Sequence, residues 1–77
     1  PKGDKIKVFK NDKVYFRNKL SERYNSNNGY YGIIIDITPA RNYNMMAMYE
    51  VDVHNTDNVK INTIYVDWTN LTDKNIF

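Results

Sequence analysis

Catalysis needs a nucleophile, a base or a bound metal gathered in one place. This 77-residue chain has a single histidine, His54, and no cysteine. His54 opens His54-Asn55-Thr56-Asp57-Asn58, a run of turn formers, where a lone histidine is expected to stand in water as an ordinary polar residue. Asp36, Glu50, Asp52 and Asp67 are the acids that strands would bring closest together. Acids alternating with apolar residues mark the wet face of a sheet, and none of them forms a recognisable acid/base pair. No Cys/His set has the spacing of metal ligands, and no glycine-rich segment could cradle a phosphate. The chain is therefore expected to be no enzyme and to need neither cofactor nor metal.

Binding chemistry is better represented. Residues 1–23 hold eight basic residues against three acidic ones, a net +5, whereas residues 24–77 hold three against six, a net −3. Such asymmetry predicts a basic face and an acidic face. Lys10, Lys13, Arg17, Lys19 and Arg23 would neutralise phosphates in a nucleic-acid-binding module, with Tyr15, Tyr24 and Tyr30 to stack on unpaired bases. Against that reading stand a total charge of only +2 and the acids Asp36, Glu50 and Asp52, which would repel a nucleic-acid strand. Protein binding meets fewer conflicts. Met45, Met46 and Met48 beside Tyr43 and Trp68 would make an adaptable apolar patch. Trp, Tyr and Arg are the usual interface anchors. Met46 and Met48 fall out of phase with the inward positions Tyr49 and Val51, which predicts that at least one of them lies outside the core.

These groups must be positioned by strands, since no helix-length amphipathic segment is present. Ile6 and Val8 alternate with lysines, which predicts a short edge strand and the place where a second copy would pair. Lys10-Asn11-Asp12 reads as a turn. Val14 and Phe16 then point inward from a first firm strand. Residues 18–29 form a long polar connection in which Leu20 to Tyr24 makes a helical turn at most. Tyr30 to Ile37 is the strongest strand, and its three consecutive isoleucines demand burial on both faces or a bulge near Gly32. Pro39 ends it. Met45–Val53 and Val59–Val66 form a hairpin across His54–Asn58, with Glu50 and Asp52 outward and a phase slip around Asn62-Thr63. Asp67–Leu71 suits a short 3₁₀ turn, and Leu71-Thr72 a last brief strand. Five short strands in a chain that buries only about 60–65% of its unfolded surface read as an all-β barrel.

The run Asp12-Lys13-Val14, the step Gly32-x-Ile34-x-x-Ile37, Tyr49-x-Val51 and the closing Tyr65-Val66-Asp67-Trp68-Thr69-Asn70-Leu71 resemble the layout of SH3-like barrels. They look most like the KOW-type subset and the small SH3-like proteins of phages infecting low-GC Gram-positive bacteria. Twelve asparagines and seven tyrosines give a composition similar to that of proteins from AT-rich phages and mobile elements. The resemblance implies a small five-stranded SH3-like barrel over residues 10–73, after a basic arm or edge strand at 1–9 and before a tail at 74–77. It implies a partner site on the long first loop, the turn after the second strand and the 3₁₀ turn, which here carry Tyr24, Tyr43 and Trp68, with Arg23 and Arg41 nearby. With Met46 and Met48 these form the expected partner-binding set. The implied role is an accessory protein that docks on a host or viral protein. Val14-Tyr15-Phe16 and a basic-to-neutral first loop do not resemble the SH3 domains that grip proline-rich peptides. No stretch is long and apolar enough to span a membrane, and Pro1–Lys5 lack the apolar run of a secretory signal, so a cytoplasmic protein is expected.

Overall fold

The alternation of apolar and polar residues is realised strand by strand in the computed structural model, which describes residues 6–42 and 44–74. Strands β1 (Lys13–Phe16), β2 (Tyr31–Thr38), β3 (Met48–His54), β4 (Lys60–Val66) and β5 (Leu71–Thr72) pair antiparallel in the order β4-β3-β2-β1-β5. The sheet curls into a half-barrel. This is the five-stranded, all-β, barrel-like architecture predicted from the sequence, with its 3₁₀ turn (Trp68–Asn70) directly before β5. β1 makes the corner: Lys13 and Val14 pair with β2, while Tyr15 and Phe16 pair with β5.

The concave side is filled by Val14, Phe16, Ile34, Val51, Val53 and Leu71, all fully buried, with Tyr24 and Tyr49 beside them. Two irregularities keep this pattern in phase. Register shifts between Ile34 and Asp36 on β2, so Ile35 is the extra residue and Asp36 returns to the outer face. The triple isoleucine is thus resolved by a bulge three residues beyond Gly32, because Gly32 itself is buried against β3. On β4 the shift falls at Ile61, just before the expected position: Val53 faces Asn62 and His54 faces Lys60.

The long connection folds locally. A five-residue helix α1 (Lys19–Arg23) lays Leu20 against the core, and a first 3₁₀ turn (Ser26–Asn28) follows. Asn25 caps that turn through its side chain, and Gly29 closes it at φ 89°, a left-handed conformation suited to glycine. Arg17 N–H donates to the Asn70 carbonyl at 2.8 Å, tying the start of the connection to the second 3₁₀ turn.

Residues 6–8 correct the expectation of an edge strand, because no strand is formed there. Val8 is buried in the core and Ile6 packs against it. Phe9 N–H donates to the Asp12 carboxylate and Asp12 N–H to the Phe9 carbonyl, so the chain turns before it can pair.

Asp67 is the cap of the second 3₁₀ turn. Its Oδ1 accepts from the Thr69 N–H at 2.9 Å, from the Thr69 hydroxyl and from the Asn70 amide. Asp67→Ala is expected to cost about 1 kcal/mol, the usual worth of such a cap, read as a lowered midpoint in thermal unfolding. An unchanged midpoint would show that the turn stands without it.

Candidate interaction surface

Six of the eight large apolar residues found exposed among the described ones are Met45, Met46, Met48, Val59, Ile61 and Tyr65. All lie on the β3–β4 hairpin or its lead-in. The cause is the sheet's two-residue period. With Tyr49, Val51 and Val53 turned inward, Met48, Glu50 and Asp52 must face out. Their partners across the hairpin follow: Glu50 faces Tyr65 and Asp52 faces Thr63. Tyr65 is 65% exposed and Met48 40% exposed. Met48 stands two residues before Glu50 on the same strand face, which makes it the diagonal neighbour of Tyr65. The result is an apolar strip along one edge of the half-barrel's outer face.

Polar groups frame this strip. The Thr63 hydroxyl donates to Asp52 Oδ1 at 2.8 Å, and the Lys60 ammonium lies 3.6 Å from the same oxygen. Glu50 adds a second carboxylate beside Tyr65. An apolar centre with a charged rim is the ordinary layout of a protein interface.

Further across the same face, aromatic and basic residues form a ladder. Tyr31 stacks on His54 with centroids 5.0 Å apart and planes 5° from parallel. The Lys13 ammonium sits 4.4 Å from the Tyr31 centroid and 5.7 Å from that of Tyr15. The Tyr31 hydroxyl bonds to Asn58 Oδ1 at 3.0 Å. His54 is thereby held against a tyrosine ring, with its Nδ1 3.3 Å from the Asp52 carbonyl.

The residues singled out from the sequence separate into three groups. Met46 and Met48 are both exposed, as their phase predicts, and Arg41 is exposed on the β2–β3 connection. Tyr43 lies outside the described residues. Tyr24 must be corrected: it is only 6% exposed, its ring lies 5.5 Å from Phe16, and its hydroxyl accepts from the Asn62 amide at 3.0 Å. A thin core needs its aromatic bulk, so Tyr24 has no surface to offer a partner. Trp68 is half-buried against the core, with its indole nitrogen covered by protein. Arg23 is exposed beside Tyr24. Asn62 faces Val53 near the far end of β3 from Met48, so the Tyr24 region and the methionines are roughly 15 Å apart along the strand.

The basic set is also divided. Lys10 pairs with Asp36 at 3.4 Å, and Lys13 is engaged over the tyrosines. Arg17, Lys19 and Arg23 are exposed on the corner between β1 and α1. Three cations at one corner make a small electrostatic footprint, not a track.

Sequence reasoning missed Ile61, Val59 and Tyr65. The signal was present in the alternation Ile61-x-Thr63-x-Tyr65, whose phase opposes the inward Ile64 and Val66. It was obscured by the bulge at Ile61. Among the described residues no group of three or more His, Asp or Glu could hold a metal ion, and no helix is long and apolar enough to cross a membrane. Compared with protein-family models, with curated proteins and with solved structures, the chain matches none of them.

Proposed function

We propose that this chain is a non-catalytic binding module whose partner is another protein, docked on the outer face of the β3–β4 hairpin. The observation that carries this reading is that Met48 and Tyr65 are exposed diagonal neighbours on one face, rimmed by Glu50 and Asp52, with Met45 and Met46 exposed on the lead-in to the same strand. Methionines adapt to a partner's shape, and an exposed tyrosine supplies area at little entropic cost. The resemblance of the sequence to SH3-like barrels supports a binding role, and a composition similar to that of phage proteins supports an accessory protein that docks on a host or viral protein.

The test compares wild-type protein with M46E/M48E and with R17E/K19E as baits in extracts of the source cells. A protein retained by wild type and by R17E/K19E, and reduced at least tenfold on M46E/M48E, is the expected outcome. Equal retention by all three baits, or loss confined to R17E/K19E, contradicts it.

The second reading is nucleic-acid binding, favoured by the exposed corner of Arg17, Lys19 and Arg23. It predicts that labelled single- or double-stranded DNA or RNA binds in fluorescence anisotropy with an affinity that falls as salt rises. No binding at low salt eliminates that reading.

A further inference from the structure

β4 is an edge of the sheet, and among the described residues β3 is its only partner strand. The opposite edge, β5, is two residues long and both are buried. Natural sheets blunt a long edge with charge, proline or a bulge. β4 has Lys60 and a bulge at its first turn, but Asn62–Val66 carries neither charge nor proline. Ile61 and Tyr65 stand exposed on either side of Thr63.

We infer that β4 pairs with β4 of a second copy, antiparallel, about a two-fold axis through Thr63. This register is self-complementary. Ile61 meets Tyr65 of the second copy, twice, and β-branched residues opposite aromatics are favourable cross-strand pairs. Thr63 meets its own equivalent, and Asn62 meets Ile64. Charge agrees with the choice. Lys60, the strand's only charge, falls opposite Val66 with Asp67 of the second copy next to it, so opposite charges approach and like charges do not. Sliding two residues one way sets Ile61 against the Asp67 carboxylate. Sliding two residues the other way sets Ile61 against Thr63 and parts it from Tyr65. A slide of one residue puts outer faces against inner ones.

Pairing edge to edge leaves the outer face open. Two strips merge into one continuous apolar face, so self-pairing enlarges the proposed docking surface instead of covering it. It competes with one local bond, in which the Thr63 N–H donates to Asn62 Oδ1 at 2.9 Å. The contact is smaller than a standard interface of about 800 Å² per partner, which makes the dimer weak and concentration-dependent.

Sedimentation velocity of the full chain from micromolar to millimolar concentration tests this. The expected result is a monomer that passes to a dimer and stops there. Ile61→Glu and Tyr65→Lys, each shown to be folded by circular dichroism, are expected to weaken dimerisation at least tenfold. The double variant I61E/Y65K sets the new carboxylate opposite the new ammonium and is expected to regain the dimer. A monomer at every concentration overturns the inference. So does growth beyond the dimer, a dimer indifferent to I61E, or a double variant no better than either single one. Partner binding is judged separately on M46E/M48E, which leaves β4 unchanged, so failure of the dimer and failure of the docking surface are told apart.

Discussion

Replacing Phe16 by alanine is expected to remove about 3–5 kcal/mol of stability, the usual cost of deleting a buried aromatic ring. A domain of this length has about 4–12 kcal/mol in total, so the variant should sit close to unfolding at room temperature. Phe16 is fully buried at the corner where β1 leaves β2 and joins β5 through Leu71. Its ring is also the floor on which Tyr24 packs, and Tyr24 in turn lies 6.0 Å from Tyr30. The cavity cannot collapse without moving three elements at once. Urea unfolding followed by circular dichroism measures the loss. A change below about 1 kcal/mol, the range of a surface substitution, would mean that the corner is not where the core is anchored.

The second large effect comes from adding atoms. A Cβ at Gly32 would lie 2.4 Å from Val51 Cγ1, 2.9 Å from Phe16 Cζ and 3.0 Å from Val14 Cγ2. All three neighbours are fully buried, so none can swing aside into solvent. Gly32→Ala is expected to cost about 2–3 kcal/mol, toward the upper part of the range for overpacked cores. The requirement here is space, since the backbone at Gly32 is not left-handed. That distinction gives a sharper test. In G32A/V51A both γ-methyls of Val51 are removed from β3, Cγ1 among them, which makes room for the methyl added on β2. The double variant should be more stable than the sum of its parts by about 1 kcal/mol, a coupling typical of residues in contact. Strict additivity would show that the close approach is not the cause.

Much of the architecture was legible in the order of residues because a two-residue period is a local signal. Val14 and Phe16, and Tyr49, Val51 and Val53, could each be assigned inward from their own segment. The 3₁₀ turn was legible from Asp67 followed by Thr69 and Asn70, whose groups bond to one carboxylate oxygen. What failed depended on distant partners. Ile6 and Val8 alternate like a strand, yet burial beneath the sheet claims Val8 and the turn at Phe9–Asp12 diverts the chain. Tyr24 reads as a loop aromatic, and only the shallow core decides that its ring goes inside. The bulge on β4 falls next to the position its phase predicts, whereas that on β2 lies three residues beyond Gly32, because the close fit of Gly32 against β3 is invisible from β2 alone.

The binding surface followed the same division. Exposure of Met46 and Met48 could be derived from phase within one strand. That Tyr65 joins Met48 on one face requires the register of β3 with β4, and that register is offset by the bulge at Ile61. A site assembled across a hairpin is read from pairing, not from spacing.

The central claim, that another protein docks on the outer face at Met48, is tested most directly by photo-crosslinking in the source cells. A photoreactive phenylalanine is placed at position 48 in one variant and at position 19 in another, and adducts are identified by mass spectrometry. The account predicts a covalent adduct between position 48 and a different protein, with none from position 19. Adducts with nucleic acid or protein from position 19 alone would contradict it and move the functional surface to the corner of Arg17, Lys19 and Arg23.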